Sequence, residues 1–232
     1  CEIMGTANSF QCLAEVLGIC LPGSANIPGW HSDKLEAARR TGERIVAMVA
    51  EDLNFRQMIT PASMRNAVNM AMAIGASTNT LLHLPAIAAA GEVNVSLKDF
   101  DDARDVPTLL AISPNGPFGI QDLWTAGGMP AVMQRMQQDL DTSCMTVTGR
   151  PLAQVIEAAV VRNPSVIPPR DKAHRPQAGI AILHGNLAPD GCVIKQSAVH
   201  PSMLRCEGVA VCFDSEEEAL AAVQGRRVDP PA

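Results

Sequence analysis

Four prolines, Pro164, Pro168, Pro169 and Pro176, fall between Asn163 and Gln177. Each fixes its own φ and lacks a backbone donor, so neither a helix nor a sheet ladder crosses this stretch intact. Arg170, Lys172, His174 and Arg175 share it. Such a segment reads as a linker over 163–177. It separates two regions whose apolar residues recur differently, at helical spacing before it and in short strand-like runs after it.

The first region, residues 1–162, is dense in helix signals. Residues 7–18 read as a helix with Asn8 or Ser9 near its cap, broken by Leu21-Pro22-Gly23-Ser24. Ser32 caps a long amphipathic helix whose apolar positions Leu35, Ala38, Ile45, Val46, Val49 and Leu53 recur at helical spacing. Thr60-Pro61 sets a helix start, with Thr at the N-cap and Pro first inside, running to about Ile74. A helix over Leu81–Ala90 ends at Gly91. Ser96-Leu97-Lys98-Asp99 has the spacing of a capping box. Val106–Ile112 is predicted as a strand. Helices follow over Ile120–Ala126, from Pro130 to about Leu140, and from Pro151 to Val161, with a short strand at Met145–Thr148.

The second region, 178–232, is predicted to be β-rich. Ile180–Leu183, Cys192–Lys195 and Val209–Phe213 are strand-like, and Pro189-Asp190-Gly191 is a turn. Asp214 or Ser215 caps a helix to Val223, its Glu216-Glu217-Glu218 favoured by the helix dipole. The chain then trails off from Gly225 to Ala232. Three strands and a helix are few for an independent core, so this domain is expected to be incomplete. The expected class is α/β.

Composition narrows the function. The 232 residues are 47% apolar and 18% charged, which is the balance of a folded protein rather than a disordered one. Net charge is −6, tyrosine is absent, and Phe and Trp number five and two. Nucleic-acid binding, which draws on clustered cations and stacking aromatics, is not expected. No apolar run reaches the roughly 18 residues of a membrane span. Seven irregularly spaced cysteines suit a reducing cytoplasm better than a disulfide scaffold.

Cys12, Cys20, Cys192 and Cys212 sit in apolar runs and read as small buried hydrophobes. Cys1 differs. It precedes Gly5-Thr6-Ala7-Asn8-Ser9, a small polar stretch opening a helix, whose free amides favour a thiolate suited to metal ligation. Because the chain opens inside this motif, it is expected to be a fragment. Ser77-Thr78-Asn79 stands at another helix entry, where three side-chain donors and free amides suit either a carboxylate or phosphate cradle or ordinary capping. His83 reads as a core residue, whereas His31, beside Trp30 on a loop, could reach a ligand. Asn186–Gly191 reads as a structural turn. Phosphate-loop, dinucleotide, nucleophile-elbow and zinc-protease signatures are missing from the sequence.

Five blocks then occur in order: Cys1 with Met4–Ser9, Leu21–Ser24, Ile74–Asn79, Ala126–Pro130, and His184–Gly191 with Val193-Ile194-Lys195. Together they resemble the dihydroxy-acid dehydratase / phosphogluconate dehydratase family, over roughly residues 1–223. The resemblance implies a hydro-lyase that converts a 2,3-dihydroxy acid to a 2-oxo acid. It implies an iron–sulfur cluster, [2Fe–2S] or [4Fe–4S], held by three cysteines and acting as Lewis acid, with Mg²⁺ on the substrate's carboxylate and 2-hydroxyl. It also implies a three-layer α/β/α domain followed by a β-barrel-like domain, and a homodimer or homotetramer. Cys1 matches the third cluster cysteine; Cys12, Cys20, Cys144, Cys192, Cys206 and Cys212 match none. The family's other cluster cysteines and some Mg²⁺ ligands precede the position of Cys1, and its serine base and last Mg²⁺ carboxylate follow the end of this sequence. No catalytic residue and no Mg²⁺ ligand is therefore expected within the chain, which by itself is expected to be inactive. Ser77, Thr78 and Asn79 become substrate-binding candidates.

Three readings stay open. One is a dihydroxy-acid dehydratase of branched-chain amino-acid biosynthesis, which Ile27-Pro28 and His31-Ser32 before the long helix resemble. Another is a sugar-acid dehydratase acting on aldonates; the phosphogluconate branch lacks a visible basic clamp. The third is a non-catalytic, truncated relative. Cys1-Glu2-Ile3-Met4 departs from the glycine-rich stretch of the amino-acid branch, which keeps the substrate open.

Overall fold

A computed structural model describes residues 1–225. Among them ten α-helices are formed: α1 Thr6–Val16, α2 Asp33–Ala50, α3 Phe55–Met58, α4 Pro61–Ala73, α5 Thr80–Ala90, α6 Leu97–Asp102, α7 Ile120–Ala126, α8 Gly128–Arg135, α9 Leu152–Glu157 and α10 Glu216–Gln224. Two short strands, β1 Ala181–Leu183 and β2 Cys192–Ile194, pair antiparallel with Ala181 opposite Ile194 and Leu183 opposite Cys192. The chain is thus helix-rich with one small sheet. The described residues divide into a unit over Cys1–Ala198 and a second that begins at Val199.

The core forms around α4. Its start is fixed by a reciprocal cap: Thr60 Oγ1 accepts from Ser63 N at 3.1 Å, and Ser63 Oγ accepts from Thr60 N at 2.9 Å. Pro61 costs nothing there, because a first-turn amide has no partner within the helix. Met64, Ala67, Val68, Met70, Ala71, Met72 and Ala73 are all buried, so the C-terminal half of α4 is enclosed by its neighbours. α1, α5 and α6 pack on it, and α8 joins α1 to α7 and α9. The buried polar residue Asn66 is satisfied by Asp141, donating to its carbonyl at 2.9 Å and accepting from its amide at 2.8 Å.

Three expected strands are absent among the described residues, two of them in the first region. Val106–Ile112 is a buried irregular strap, not part of a ladder. Leu109 N donates to Ala73 O at 2.7 Å, closing the end of α4, and Thr108 N donates to Gln177 O at 2.9 Å. A short apolar run bounded by turn signals fits either outcome, and Pro107 removes a ladder donor. Met145–Thr148 makes only an isolated bridge, Met145 to Pro151. The helix expected to Val161 stops at Glu157.

The stretch 163–177 lies along the first unit. Arg170 pairs with Asp139 at 2.6 Å, and Arg175 bridges to Thr108. β1 and β2 form where expected, joined by the Asn186–Gly191 turn, with Gly191 at φ 102°. In the second unit, Val209–Phe213 is exposed and has no strand partner among the described residues. Ser215 caps α10, accepting from Glu218 N at 3.2 Å. The expected tail after Gly225 lies outside the described residues.

The apolar stripe of α2 faces outward: Leu35, Ile45, Val46 and Val49 are exposed, and Met48, outside the stripe, is its one buried residue. Other expectations are corrected by burial. His83 is exposed, its ring edge-on to Phe10 at 5.2 Å, because α5 turns it away from Leu81 and Leu84. Cys12 is buried and Cys20 partly so, whereas Cys192 and Cys212 are exposed, the first on β2, all three of whose residues are exposed. No helix among the described residues is long and apolar enough to cross a membrane.

Candidate functional site

The turn before α1 carries Cys1 and is held from several sides. Asn8, one turn into the helix, donates to the carbonyls of Cys1 at 3.1 Å and Ile3 at 2.7 Å. Met4 N donates to Ser113 O at 2.7 Å, and Ile120 N donates to Glu2 O at 3.0 Å. The Cys1 thiol is exposed on this fixed turn.

Thr6, the first residue of α1, connects the turn to the second motif. Its hydroxyl lies 3.0 Å from Ser77 Oγ and accepts from Asn79 Nδ2 at 2.8 Å. Ser77 N donates to Ser9 Oγ at 2.9 Å, and Ser9 Oγ donates back to Gly5 O at 2.8 Å. The structure thus brings Cys1's turn, Ser77 and Asn79 into one polar cluster across 71 residues of sequence. Asn79 is the N-cap of α5 but makes no side-chain cap bond, because its amide is turned to Thr6. Thr78 is half-buried and contributes its carbonyl to Leu81 N at 3.1 Å.

A further member was not singled out from the sequence. Lys195, just past β2, donates to Met4 O at 3.3 Å. Burial lowers its pKa, since desolvation disfavours the ammonium. It arrives there because the hairpin docks on the Ile74–Ala76 loop. Gly179 N donates to Met72 O at 3.0 Å, and Ser197 Oγ donates to Asn115 Oδ1 at 2.8 Å while Asn115 Nδ2 donates to Gly75 O at 3.2 Å. Thr6 and Lys195 both stand inside the ordered blocks, which is the signal that could have found them.

One cleft opens beside the turn and another lies at the Leu21–Gly23 break. The first, of about 330 Å³, is lined by Cys1, Asn8, Asn26, Trp30, Lys34 and Gln121. The second, of about 820 Å³, is where Leu21–Gly23 meets Gly127 and Gly128, and it gathers Arg40, Arg44, Arg150 and Arg162. Sequence showed no such gathering. Arg44 is already neutralised by Glu51. His31 stands between the clefts, its ring 4.6 Å from Trp124 and 5.6 Å from Trp30, and its Nδ1 accepts from Asp33 N at 3.2 Å. Ser77, Thr78 and Asn79 line neither cleft.

Residues 1–155 match the family described as dihydroxy-acid/6-phosphogluconate dehydratase N-terminal, and residues 165–231 match its C-terminal counterpart. The chain belongs to the dihydroxy-acid/6-phosphogluconate dehydratase family. Among its curated relatives, a protein of Nitratidesulfovibrio vulgaris strain Hildenborough is 45% identical over 98% of this chain. One of Thermodesulfovibrio yellowstonii is 43% identical over 96%, and one of Methanoregula boonei 42% identical over 98%. All three are named dihydroxy-acid dehydratase. The chain spans 42%, 40% and 42% of their respective lengths.

An iron–sulfur cluster takes accessible thiolates, and in this dehydratase-family chain Cys1, at a helix entry, is exposed, as are Cys192, Cys206 and Cys212. Among the described residues no three His, Cys, Asp or Glu side chains converge to hold a metal. Burial pushes the Cys12 thiol up to about 12 and raises Cys20 and Cys144 as well, which suits packing rather than ligation.

Proposed function

We propose that this chain is part of a hydro-lyase that dehydrates a 2,3-dihydroxy carboxylic acid to a 2-oxo acid, in the dihydroxy-acid dehydratase branch that serves branched-chain amino-acid synthesis in the cytoplasm. The observation that carries the reading is the hydrogen-bonded join between the Cys1 turn and Ser77 and Asn79 through Thr6. It ties the helix entry that follows Cys1 to a group of oxygen-binding side chains. The relatives' shared name supports the branch.

In this reading Cys1 is one cluster ligand and the remaining ligands lie outside the chain, as do those for Mg²⁺. When bound, the cluster supplies a Lewis acid for the departing 3-hydroxyl, and Mg²⁺ supplies charge for the carboxylate. The chain's own residues position. Thr6, Ser77 and Asn79 offer two hydroxyls and an amide to substrate oxygens. Lys195 places a positive charge on the carbonyl side of the turn, where it counters the anionic substrate's repulsion from a thiolate-bearing site. The three-layer and barrel-like architecture of the family, its subunit pairing and the domain limits 1–162 and 178–232 belong to the same proposal.

The test uses the complete parent enzyme, purified without oxygen and supplied with Mg²⁺. The expected result is 2-oxo acid from 2,3-dihydroxyisovalerate and none from a panel of aldonic acids. Product from aldonates alone moves the protein to sugar-acid dehydration. No product from either, with the visible absorption of an intact cluster, overturns the reading. Cys1→Ser is expected to abolish that absorption and turnover together. Ser77→Ala is expected to keep the absorption and raise KM on the order of tenfold, the cost of about one hydrogen bond.

A further inference from the structure

Asn8, Cys12 and Glu15 follow one another at i, i+4 and i+7 in α1, so they share one face of the helix. All three are buried. Asn8 holds the turn of Cys1 through the carbonyls of Cys1 and Ile3. The other two hold a different stretch of chain. The Glu15 carboxylate accepts from Gly23 N at 2.6 Å and Ala25 N at 3.0 Å, and Cys12 Sγ accepts from Asn26 Nδ2 at 3.3 Å. Asn8 and Glu15 stand about 10 Å apart along the helix axis.

The held stretch forms no regular element. Among the described residues, no backbone hydrogen bond joins residues 24–30 to another element. Apart from a long contact of Lys34 Nζ to Ser24 O at 3.5 Å, the hydrogen bonds that tie this stretch down come from α1. Its continuation, Asn26–Trp30, lines the cleft of about 330 Å³ together with Cys1 and Asn8. One face of one helix therefore fixes two of the segments bordering this cleft, the turn that carries the thiol and the stretch that runs to Trp30. Glu15 is the unexpected choice among the three. A carboxyl taken out of water without a cation costs free energy, and its partners among the described residues are the two amides alone. An apolar side chain would fill the core without that cost, but it would leave both amides without an acceptor.

We propose that Glu15, seconded by Cys12, is a positioning residue of the hydro-lyase: by holding Gly23–Asn26 on the helix that also anchors the Cys1 turn, it sets the width of the cleft through which the dihydroxy acid reaches Cys1. The kinetic consequence rests on the hydro-lyase reading, and the structural one does not. The held stretch touches no reacting atom in that reading. Loosening it weakens the ground state and the transition state alike, so KM rises while kcat is kept.

The test uses the complete parent enzyme, purified without oxygen and supplied with Mg²⁺. Glu15→Gln keeps the side chain's shape but turns one of its two acceptors into a donor. It is expected to raise KM for 2,3-dihydroxyisovalerate on the order of tenfold, with kcat within about twofold and the cluster's visible absorption unchanged. Cys12→Ala, which removes the other tie, is expected to raise KM about threefold, and Cys12→Ser, which keeps an acceptor, to restore it. Phe100→Leu is the control. It thins the core at α6, lines none of the clefts, and is expected to lower Tm without moving KM. Hydrogen exchange should quicken over 23–30 in Glu15→Gln and keep its rate over 1–9. An unchanged KM in Glu15→Gln, or an equal rise in Phe100→Leu, overturns the proposal. Where Glu15→Gln does not fold, the Cys12 pair decides, and a KM indifferent to Cys12→Ala overturns it. A wild type without turnover counts against the hydro-lyase reading instead. Exchange then decides by itself: unchanged rates over 23–30 in Glu15→Gln overturn the positioning role, and a local rise there sustains it.

Discussion

Glu15 occupies a helix position that would pass for a surface site in the sequence, yet it is 2% exposed. Its carboxylate accepts from Gly23 N at 2.6 Å and Ala25 N at 3.0 Å, tying the Leu21–Ser24 break to α1. Burial pushes its pKa up to about 7 against the lowering pull of those two amides. The folded state therefore holds this proton more tightly than the unfolded chain, whose value is 4.5. Stability from this group is complete below pH 4.5 and is lost as pH rises through about 7. Urea unfolding between pH 4.5 and 8 should show that decline, and Glu15→Gln should flatten it. Glu15→Ala should cost about 2–4 kcal/mol, since two buried amides lose their acceptor. A glycine shows the same limit of sequence reading. Gly75 has φ 58°, and a Cβ there would lie 2.2 Å from Asn115 Nδ2. Gly75→Ala should lower Tm by several degrees through backbone strain and displacement of Asn115. Gly75 stands inside the Ile74–Asn79 block, but its crowding arises from a residue 40 positions away.

At the scale of elements, local chemistry was enough where an element satisfies itself. The caps at Thr60 and Ser215, the Gly91 stop and the β1–β2 turn are set by neighbours in sequence and stand where expected. Val106–Ile112 failed because its partners, Ala73 and Gln177, come from elsewhere, and apolar character alone does not say whether a run pairs or threads. The α2 stripe marks another limit. Periodicity reports that a face is apolar, not which body covers it. The core helix permits a quantitative check. Met72 is fully buried in α4, so Met72→Ala should cost about 2–5 kcal/mol in a urea titration. Leu35→Ala, on the exposed stripe, should stay within about 0.5 kcal/mol.

The first unit as a whole is closed by its last residues. Ser197, 1% exposed, donates to Asn115 Oδ1 and to Gly179 O, and Asn115 in turn holds Gly75 O. Ser197→Ala should leave Asn115 Oδ1 short of its donor, costing about 1–3 kcal/mol. Hydrogen exchange should then quicken along β1 and β2 while α4 keeps its protection. The ordered blocks made most of the candidate site legible as membership. They did not make its adjacency legible: Thr6 touching Ser77 depends on how α1 and α5 both pack against α4, which no spacing of residues encodes.

The contact from Lys195 to Met4 joins residues 191 apart. On a ribosome making about 5–20 residues per second, the Cys1 turn emerges on the order of ten seconds or more before the lysine that completes it. During that interval the thiol is carried on an open, unfinished edge. Metal delivery during synthesis would meet a bare cysteine, and delivery after release would meet a finished pocket wall.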